Sequence, residues 1–313
     1  MKNHSRLFRS GLLSTFLLIS LLSQAQTDSV IVTGRIRNLS ARLYRESPTV
    51  LVSRNNILQA SRELVRPAPL GIDGTFRVSL PLLYPQEEMY FNYGRISTAF
   101  LAAPGTLTID LDADSLFTAA VPFRFGGVNA QVNGQFARYK AFEASFPDKP
   151  DGKKLTTQIA DLSSERAFDA LAKAYQAPFV AFNRKEKAFP LVSRWITSSN
   201  RYNAAAFLYD KATYEAEQIP ASLTDSLRPA NDNILTAARA SAMNRFASYA
   251  TQRVMTESST SRSNGLTVRA LSILLERYGK NLTAYERLRL SDYALANSAR
   301  ASDLRFFDGL VKR

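Results

Sequence analysis

The chain has 313 residues, of which 45% are hydrophobic and 11% are aromatic. This composition supplies a core for one large or two ordinary domains, and it excludes a disordered chain. The sequence contains no cysteine and a single histidine. Thiol catalysis, Cys-x-x-Cys redox chemistry, disulfides and lipid attachment at a cysteine are therefore excluded.

Residues 1–25 have the layout of a secretory signal peptide. An apolar run extends from Gly11 to Leu22, and Ser23-Gln24-Ala25 follows as a small-x-small cleavage site. Three cations precede the run: Lys2, Arg6 and Arg9. A membrane anchor is the alternative, but the run is shorter than the roughly 20 residues that span a bilayer. The sequence predicts cleavage near Ala25 and a periplasmic or secreted protein.

Cleavage at this site would change both the chemistry and the charge of the chain. It would remove His4, which excludes histidine-based zinc sites and serine triads from the mature protein. Three of the 40 Lys and Arg residues would leave with the leader, so the formal charge would fall from +13 to +10. In an exported protein this charge favours anionic lipid headgroups or acidic glycans over nucleic acid. The alternative is a solvated basic surface, since no run of five Lys or Arg occurs.

Residues 27–127 carry the period-two alternation of β-strands with one buried face. The predicted strands are Val30–Arg37, Thr49–Ser53, Ile57–Val65, Phe76–Leu80, Met89–Tyr93, Ser97–Ala102, Thr106–Asp112 and Val121–Phe125. Asp73-Gly74 and Pro104-Gly105 have the turn chemistry of hairpins. About eight short strands at this spacing predict an antiparallel β-sandwich, because parallel strands need long crossovers.

After Gly126-Gly127 the pattern changes to helical periodicity, which predicts an all-α domain over residues 128–313. Asn129 is the predicted N-cap of the first helix, and Pro178 is expected to break or kink the second. The helical segments are Val132–Glu143, Phe168–Tyr175, Leu191–Ile196, Ala204–Glu217, Asn231–Met255, Thr267–Tyr278, Thr283–Asn297 and a last helix from Ser302. The predicted fold class is therefore α+β.

Tyr90, Tyr93 and Arg95 form the candidate ligand patch of the sequence. Aromatic faces beside a guanidinium suit stacking on sugars or on a peptide backbone. Strand alternation gives a plainer interpretation, in which Phe91 is core and Tyr90 is surface. Trp195 is interpreted in the same way as helical core.

Three groups of carboxylates have spacings of interest, and none predicts catalytic, cofactor-binding or metal-binding residues. Asp110-x-Asp112-x-Asp114 has calcium-loop spacing, but Ser115 and Val121 stand where such a loop needs Gly and Glu. Glu87-Glu88 is a possible acid-base pair of low specificity. Asp161, Glu165 and Asp169 lie at helical spacing near cations, which is typical of a solvated helix face.

Four short motifs carry a family resemblance. They are Val32-Thr33-Gly34-Arg35-Ile36, Asp73-Gly74-x-Phe76, the stretch from Phe100 to Ile109, and Gly127-Val128-Asn129. In this order they resemble the amino-terminal half of exported TlpA-like thiol-disulfide oxidoreductases of the thioredoxin family. The resemblance implies a β-sandwich and a helical segment ahead of a thioredoxin domain. No residue of this sequence matches the family's Cys-x-x-Cys site.

The resemblance implies an accessory module without redox chemistry of its own, either a stand-alone relative or a chain truncated before the thioredoxin domain. The leading hypothesis is a non-enzymatic envelope protein that binds or positions a protein partner, possibly a thioredoxin-like subunit. One alternative is a component of a split thiol-disulfide interchange enzyme. The other is a basic binder of envelope glycan or lipid headgroups.

Overall fold

The computed structural model describes residues 29–56, 59–220, 222–223, 227 and 233–257, and within them the fold is mixed α+β. The predicted signal peptide lies outside these residues. So do the predicted helices Thr267–Tyr278 and Thr283–Asn297 and the helix from Ser302.

The β-strands lie where the period-two alternation placed them, with one addition near residue 234. They are β1 (Ser29–Arg37), β2 (Thr49–Asn56), β3 (Gln59–Pro69), β4 (Thr75–Pro81), β5 (Gln86–Tyr93), β6 (Ile96–Ala102), β7 (Gly105–Asp112), β8 (Phe123–Gly127) and β9 (Ile234–Leu235). Residues Val30, Val32 and Ile36 of β1 are buried while Arg35 and Arg37 are exposed, as the alternation requires.

The strands form two sheets. One has the order β4-β1-β7-β8, and the other has the order β3-β2-β5-β6 with β9 paired to β5. A single hydrophobic cluster contains side chains from both sheets, including Val32 of β1 and Phe91 of β5. The two sheets therefore share one apolar core.

The prediction of purely antiparallel pairing is wrong at two places. β1 pairs with β7 in parallel, in the register Val32↔Leu107, and β5 pairs with β9 in parallel. The strands of each parallel pair are far apart in sequence, and the chain between β1 and β7 contains four strands of the other sheet as well as β4 of the same sheet. Parallel pairing needs a long connection, which β2–β6 and the short helix Ala41–Glu46 provide between β1 and β7. Between β5 and β9 the connection contains β6–β8 and, among the described residues, four helices.

The two glycine turns predicted as hairpins instead connect the sheets. Pro104-Gly105 lies between β6 of the five-stranded sheet and β7 of the four-stranded sheet. Gly74, at φ +80°, lies in the turn between β3 and β4, which also belong to different sheets. Turn chemistry fixes the local backbone but leaves the pairing partner open. A tight hairpin occurs at Gly94, between β5 and β6.

β3 extends further than its two prolines predict. Pro67 and Pro69 pair with Leu51 and Thr49 of β2. β3 is at the edge of its sheet, so the missing proline N–H groups face away from the pairing strand.

The helices are α1 (Ala41–Glu46), α2 (Ala130–Ala144), α3 (Gly152–Ile159), α4 (Ser164–Lys185), α5 (Pro190–Tyr214) and α6 (Ala237–Glu257). α1 was not predicted, although Ser40 caps it by accepting from the Leu43 N–H. α4 continues through Pro178. α5 joins two predicted segments into one helix and begins with Pro190 at its first position, where a missing N–H is harmless.

Ile234 and Leu235 were predicted to start a helix but form β9 instead. Thr236 follows them and accepts a hydrogen bond from the Arg239 N–H at 3.0 Å, which caps the start of α6. The helix therefore begins after β9, and Ile234 and Leu235 pair with the sheet instead of forming its first turn.

The helices cover one side of the five-stranded sheet. Leu101 of β6 packs in one cluster with residues of α2, α4 and α5 and with Ile234 of β9. A second cluster joins α3, α4, α5 and α6. The sheet therefore has an inner face toward the other sheet and an outer face toward the helices.

Candidate functional site

β5 divides its side chains between the two faces of the sheet. Met89 and Phe91 are fully buried in the core shared by the two sheets. Glu88 and Tyr90 point to the opposite face, where the helices lie. The sequence alternation predicted this division but also a solvated polar face, whereas helices cover that face.

Glu88 is the centre of a polar network on the outer face. Its Oε2 accepts a hydrogen bond from the indole N–H of Trp195 at 2.8 Å, and its Oε1 accepts from the Tyr90 hydroxyl at 3.0 Å. The backbone N–H of Ala237, at the start of α6, is a third donor. One carboxyl thus connects β5 with α5 and α6.

Trp195 reaches Glu88 because aromatic packing holds its ring in place. The ring is fully buried and stacks on Phe136 of α2 with centroids 3.5 Å apart and an interplanar angle of 10°. The prediction that Trp195 is helical core is confirmed. No sequence pattern predicts its hydrogen bond to Glu88, a strand carboxyl 107 residues away.

The environment of Glu88 shifts its titration upward. Burial raises the pKa of this carboxyl, and the hydrogen bonds from Trp195 and Tyr90 oppose the rise without cancelling it. A carboxyl with a raised pKa beside a cavity is a candidate member of a functional site.

A cavity of about 310 Å³ lies beside Glu88 between the sheet and the helices, and we call it the interlayer cavity. Tyr90 and Ala99 line its sheet side, and α2, α5 and the start of α6 line the rest. Its main polar residues are Glu88, Lys140, Glu143, Ser199, Asn200 and Asn203. The cavity combines aromatic walls with several polar groups, which is typical of small-ligand sites.

The α2 side of the interlayer cavity carries a second carboxylate. Glu143 accepts a hydrogen bond from the Tyr139 hydroxyl at 2.8 Å, and its other oxygen pairs with Lys140. Burial, together with the charge of Glu143, raises the pKa of Tyr139, so its hydroxyl stays protonated. Lys140 is half exposed, which places this pair toward solvent.

Asn133 fixes α2 against the sheet edge. Its Oδ1 accepts from the Leu101 N–H at 2.7 Å, and its amide nitrogen donates to the Leu101 carbonyl at 3.3 Å. Asn129, the predicted N-cap, forms no side-chain cap and donates instead to Gln86 and to the Leu101 carbonyl. The sequence analysis did not predict the role of Asn133. A polar residue three positions before Phe136, on the apolar face of the helix, is nevertheless a sign of a buried hydrogen bond.

A second concave surface lies at the β5–β6 turn, and we call it the end groove. It has a volume of about 690 Å³. It is lined by residues that include Arg42, Leu43, Tyr93, Arg95, Ile96 and Phe117. Phe117 is 73% exposed, and Arg95 is exposed with no carboxylate paired to it in the described part of the chain.

The structure separates the three residues of the predicted ligand patch. Tyr93 and Arg95 line the end groove, whereas Tyr90 lines the interlayer cavity. The ring of Tyr93 is buried, and its hydroxyl donates to the Leu43 carbonyl at 3.4 Å. Burial raises the pKa of Tyr93, and the charge of Glu46 adds to the rise. Strand alternation sends positions 90 and 93 to opposite faces, which explains the separation.

The aspartates at the end of β7 accept hydrogen bonds from nearby backbone and side-chain groups. Asp110 accepts from the Arg35 N–H at 2.9 Å, and Asp112 accepts from the Asn38 amide and from the Asp114 N–H. In the described residues no three acidic or histidine side chains group in a way that could hold a metal ion.

The other predicted carboxylate groups are also separated. Glu87 is buried and lies near Arg54 of β2, with 3.4 Å between Nη1 and each carboxylate oxygen, while Glu88 belongs to the outer-face network. Asp161 lies in the turn before α4, and Glu165 and Asp169 lie exposed on that helix.

Comparisons with protein-family models, with curated proteins and with solved structures gave no match to this chain. Among the helices of the described residues, none is both long and apolar enough to cross a membrane.

Proposed function

We propose that this chain is a non-enzymatic, exported module of the cell envelope that binds a protein partner through the end groove. The exposure of Phe117 beside the unpaired Arg95 is the observation that carries this proposal. An exposed aromatic ring beside an arginine without an ion pair in the described chain is a combination of residue types enriched at protein interfaces.

The partner we propose is a protein segment that carries an acidic side chain next to an apolar one. Arg95 offers an unpaired cation, while the neighbouring Arg42 is already paired with Glu46 at 2.8 Å. The apolar floor of Leu43, Ile96 and Leu116 suits an aliphatic or aromatic anchor. The formal charge, +13 for the full chain and +10 without Lys2, Arg6 and Arg9 of the predicted leader, also favours the approach of an acidic partner.

The family resemblance supports the same role and suggests the kind of partner. It implies an accessory β-sandwich, and the core shared by the two sheets supports that finer description of the fold. A thioredoxin-like subunit is then the first partner to test. The absence of cysteine and the position of the single histidine, within the predicted leader, support a non-enzymatic role.

The experiment is site-specific photo-crosslinking in envelope extract. A photoreactive residue replaces Phe117, and matched controls replace the exposed Ile72 (95%) and Tyr214 (91%). We expect one crosslinked species from position 117 alone, and we expect Arg95→Glu to abolish it through charge repulsion. Mass spectrometry then shows whether the captured protein presents an acidic and apolar segment, and whether it carries Cys-x-x-Cys.

Three outcomes would contradict this proposal. Equal crosslinking from all three positions would indicate nonspecific contact, and an Arg95→Glu variant that crosslinks normally would remove the proposed anchor. Retention on anionic vesicles that disappears in the Arg95→Glu variant, without a protein crosslink, would favour the headgroup binder instead.

A further inference from the structure

We propose that the interlayer cavity binds a small organic cation, with a primary ammonium group at Glu88 and a short aromatic or apolar body against the tyrosine rings. This site is separate from the end groove. It extends the proposed function, because it gives the module a small-molecule ligand in addition to a protein partner.

The acceptor geometry of Glu88 leaves room for a ligand. A carboxylate offers about four acceptor positions. Trp195 and Tyr90 occupy one on each oxygen, and the Ala237 N–H supplies a third donor. A positive group in the cavity takes the position that remains. The three protein donors also fix the carboxyl in one orientation, so little entropy is lost when the ligand binds.

The balance of charge in the cavity favours a cation. Glu88 and Glu143 are its two acidic side chains, and Lys140 is its one basic side chain. Lys140 pairs directly with Glu143 and acts on Glu88 only through space, so no cationic side chain hydrogen-bonds to Glu88 among the described residues of the cavity. Ser199 and Asn203 add neutral oxygen acceptors that an ammonium group can also reach.

The size and walls of the cavity restrict the body of the ligand. A volume of 310 Å³ is at the lower end of the range for small-molecule sites, which fits a compact ligand with a single ring. Phe136, Tyr139 and Tyr90 provide aromatic surface along the wall. Such surfaces attract both aromatic rings and organic cations.

Binding should release protons. Burial holds the pKa of Glu88 above its ordinary value in the free protein, and a bound cation favours the ionised form. The titratable groups facing Glu88 are Tyr90 on β5 and Tyr139, Lys140 and Glu143 on α2, while α5 and α6 contribute Trp195 and Ala237, which do not titrate. A bound cation would therefore displace a proton from Glu88.

The experiment is isothermal titration of the purified protein with three ligands of matched shape. The probes are 2-phenylethylammonium, the neutral 2-phenylethanol and the anionic 3-phenylpropionate. We expect the ammonium compound to bind with a dissociation constant below about 1 mM and the other two to bind at least about tenfold more weakly. Titrations in buffers of different ionisation enthalpy should show that the ammonium compound releases protons.

Three variants locate the binding. Glu88→Gln keeps the shape of the side chain and should weaken binding about tenfold or more. Ser199→Leu fills the cavity from α5 and should abolish binding without touching the Glu88 network. Asp169→Asn removes an exposed carboxylate on α4 and should leave binding unchanged.

Several results would overturn the proposal. They are equal affinity for 2-phenylethylammonium and 2-phenylethanol, no binding of the ammonium compound at about 10 mM, or unchanged binding in a folded Glu88→Gln protein. If Glu88→Gln does not fold, Ser199→Leu decides, and unchanged binding in that variant overturns the proposal. These results are independent of crosslinking at Phe117, so each site can fail alone.

Discussion

The two faces of the five-stranded sheet are held by different interactions. On the inner face, Val52, Met89 and Phe91 are completely buried among apolar side chains of the other sheet. On the outer face, polar groups such as Glu88 and Asn133 make specific hydrogen bonds to partners across the layer boundary. The stability of the inner face therefore depends on how well the side-chain volumes fit together. The stability of the outer face depends on the pairing of hydrogen-bond donors with acceptors.

This difference has consequences for substitution. A well-packed apolar face accepts another apolar side chain of equal volume but not an added atom. A face of buried hydrogen bonds responds in the opposite way, because an apolar isostere leaves the partner group buried and unsatisfied. The following predictions test this contrast, beginning with the largest effect.

The largest loss is expected at Trp195, which contributes both kinds of interaction. Trp195→Ala should lower the free energy of unfolding by about 3–5 kcal/mol, as for other large-to-alanine changes in a core. Trp195→Phe keeps an aromatic ring near Phe136 but removes the N–H, and should cost about 1–3 kcal/mol. Urea denaturation followed by circular dichroism measures both values. Tyr214→Ala, at a 91% exposed position of the same helix, is the control. If Trp195→Phe is as stable as the native protein, the hydrogen bond from the indole N–H to Glu88 contributes nothing to stability.

The core that the inner face shares with the other sheet should not tolerate a single added methyl group at Gly34 of β1. A Cβ at this position would lie 1.9 Å from the Ile109 carbonyl oxygen and 2.8 Å from the Phe76 ring, so β1 and β7 would have to separate. Gly34→Ala should cost about 1–3 kcal/mol in the same denaturation assay. Gly152→Ala is the matched control, because no atom lies within 4 Å of its Cβ position. A Gly34→Ala protein as stable as the control would show that the strands can adjust.

On the outer face, removal of the polar group of Asn133 should lower the free energy of unfolding. Asn133→Leu has nearly the same size but leaves the Leu101 N–H and carbonyl with fewer partners, and should cost about 1–3 kcal/mol. Amide hydrogen exchange at Leu101 should accelerate by more than the overall loss of stability accounts for. The control is Asn203→Leu, at a half-buried position with no hydrogen bond recorded for its side chain. If Leu101 exchange follows global stability alone, Asn133 does not protect this edge.

The smallest expected effect is the contribution of Glu88 to the pH dependence of the free energy of unfolding. Burial raises its pKa in the folded protein above the ordinary value of 4.5, so the folded state holds more protons than the unfolded state between these two values. The contribution of Glu88 to the free energy of unfolding is therefore greatest at pH values below its unfolded-state pKa. It falls as the pH rises from the unfolded-state to the folded-state pKa, with a slope of at most about 1.4 kcal/mol per pH unit. Glu88→Gln should remove this slope, whereas Glu165→Gln on an exposed position should keep it. A slope that survives in Glu88→Gln would assign it to another group.

The strands and most helices could be predicted because burial of one face requires apolar residues at regular intervals along the sequence. The alternation in Met89–Tyr93 identifies β5 and its inner face, and the stripe containing Phe136 and Tyr139 identifies α2. Alternation does not say what covers the polar face. Glu88 and Tyr90 have the pattern of a wet surface, and only the fold places Trp195 above them.

Pairing and site geometry could not be predicted for a related physical reason. A Pro-Gly or Asp-Gly turn sets backbone angles over four residues, and the same angles serve a hairpin or a step between sheets. The parallel β1–β7 pair and the short β9 depend on contacts between distant parts of the chain. Tyr90, Tyr93 and Arg95 are neighbours in sequence, but alternation assigned them to two separate surfaces.

Because β9 pairs with β5 across a long stretch of chain, we expect the interlayer cavity to form late in folding. Gln86 pairs with Ile234, so about 150 residues must be closed into a loop before this contact forms, and long closures of this kind slow folding. The Ala237 donor to Glu88 follows two residues after β9, so it reaches the carboxyl only once this loop is closed. In a folding experiment, ligand binding at Glu88 should therefore appear after the core between the two sheets has formed. The cavity thus reports on the long-range order of the whole described chain.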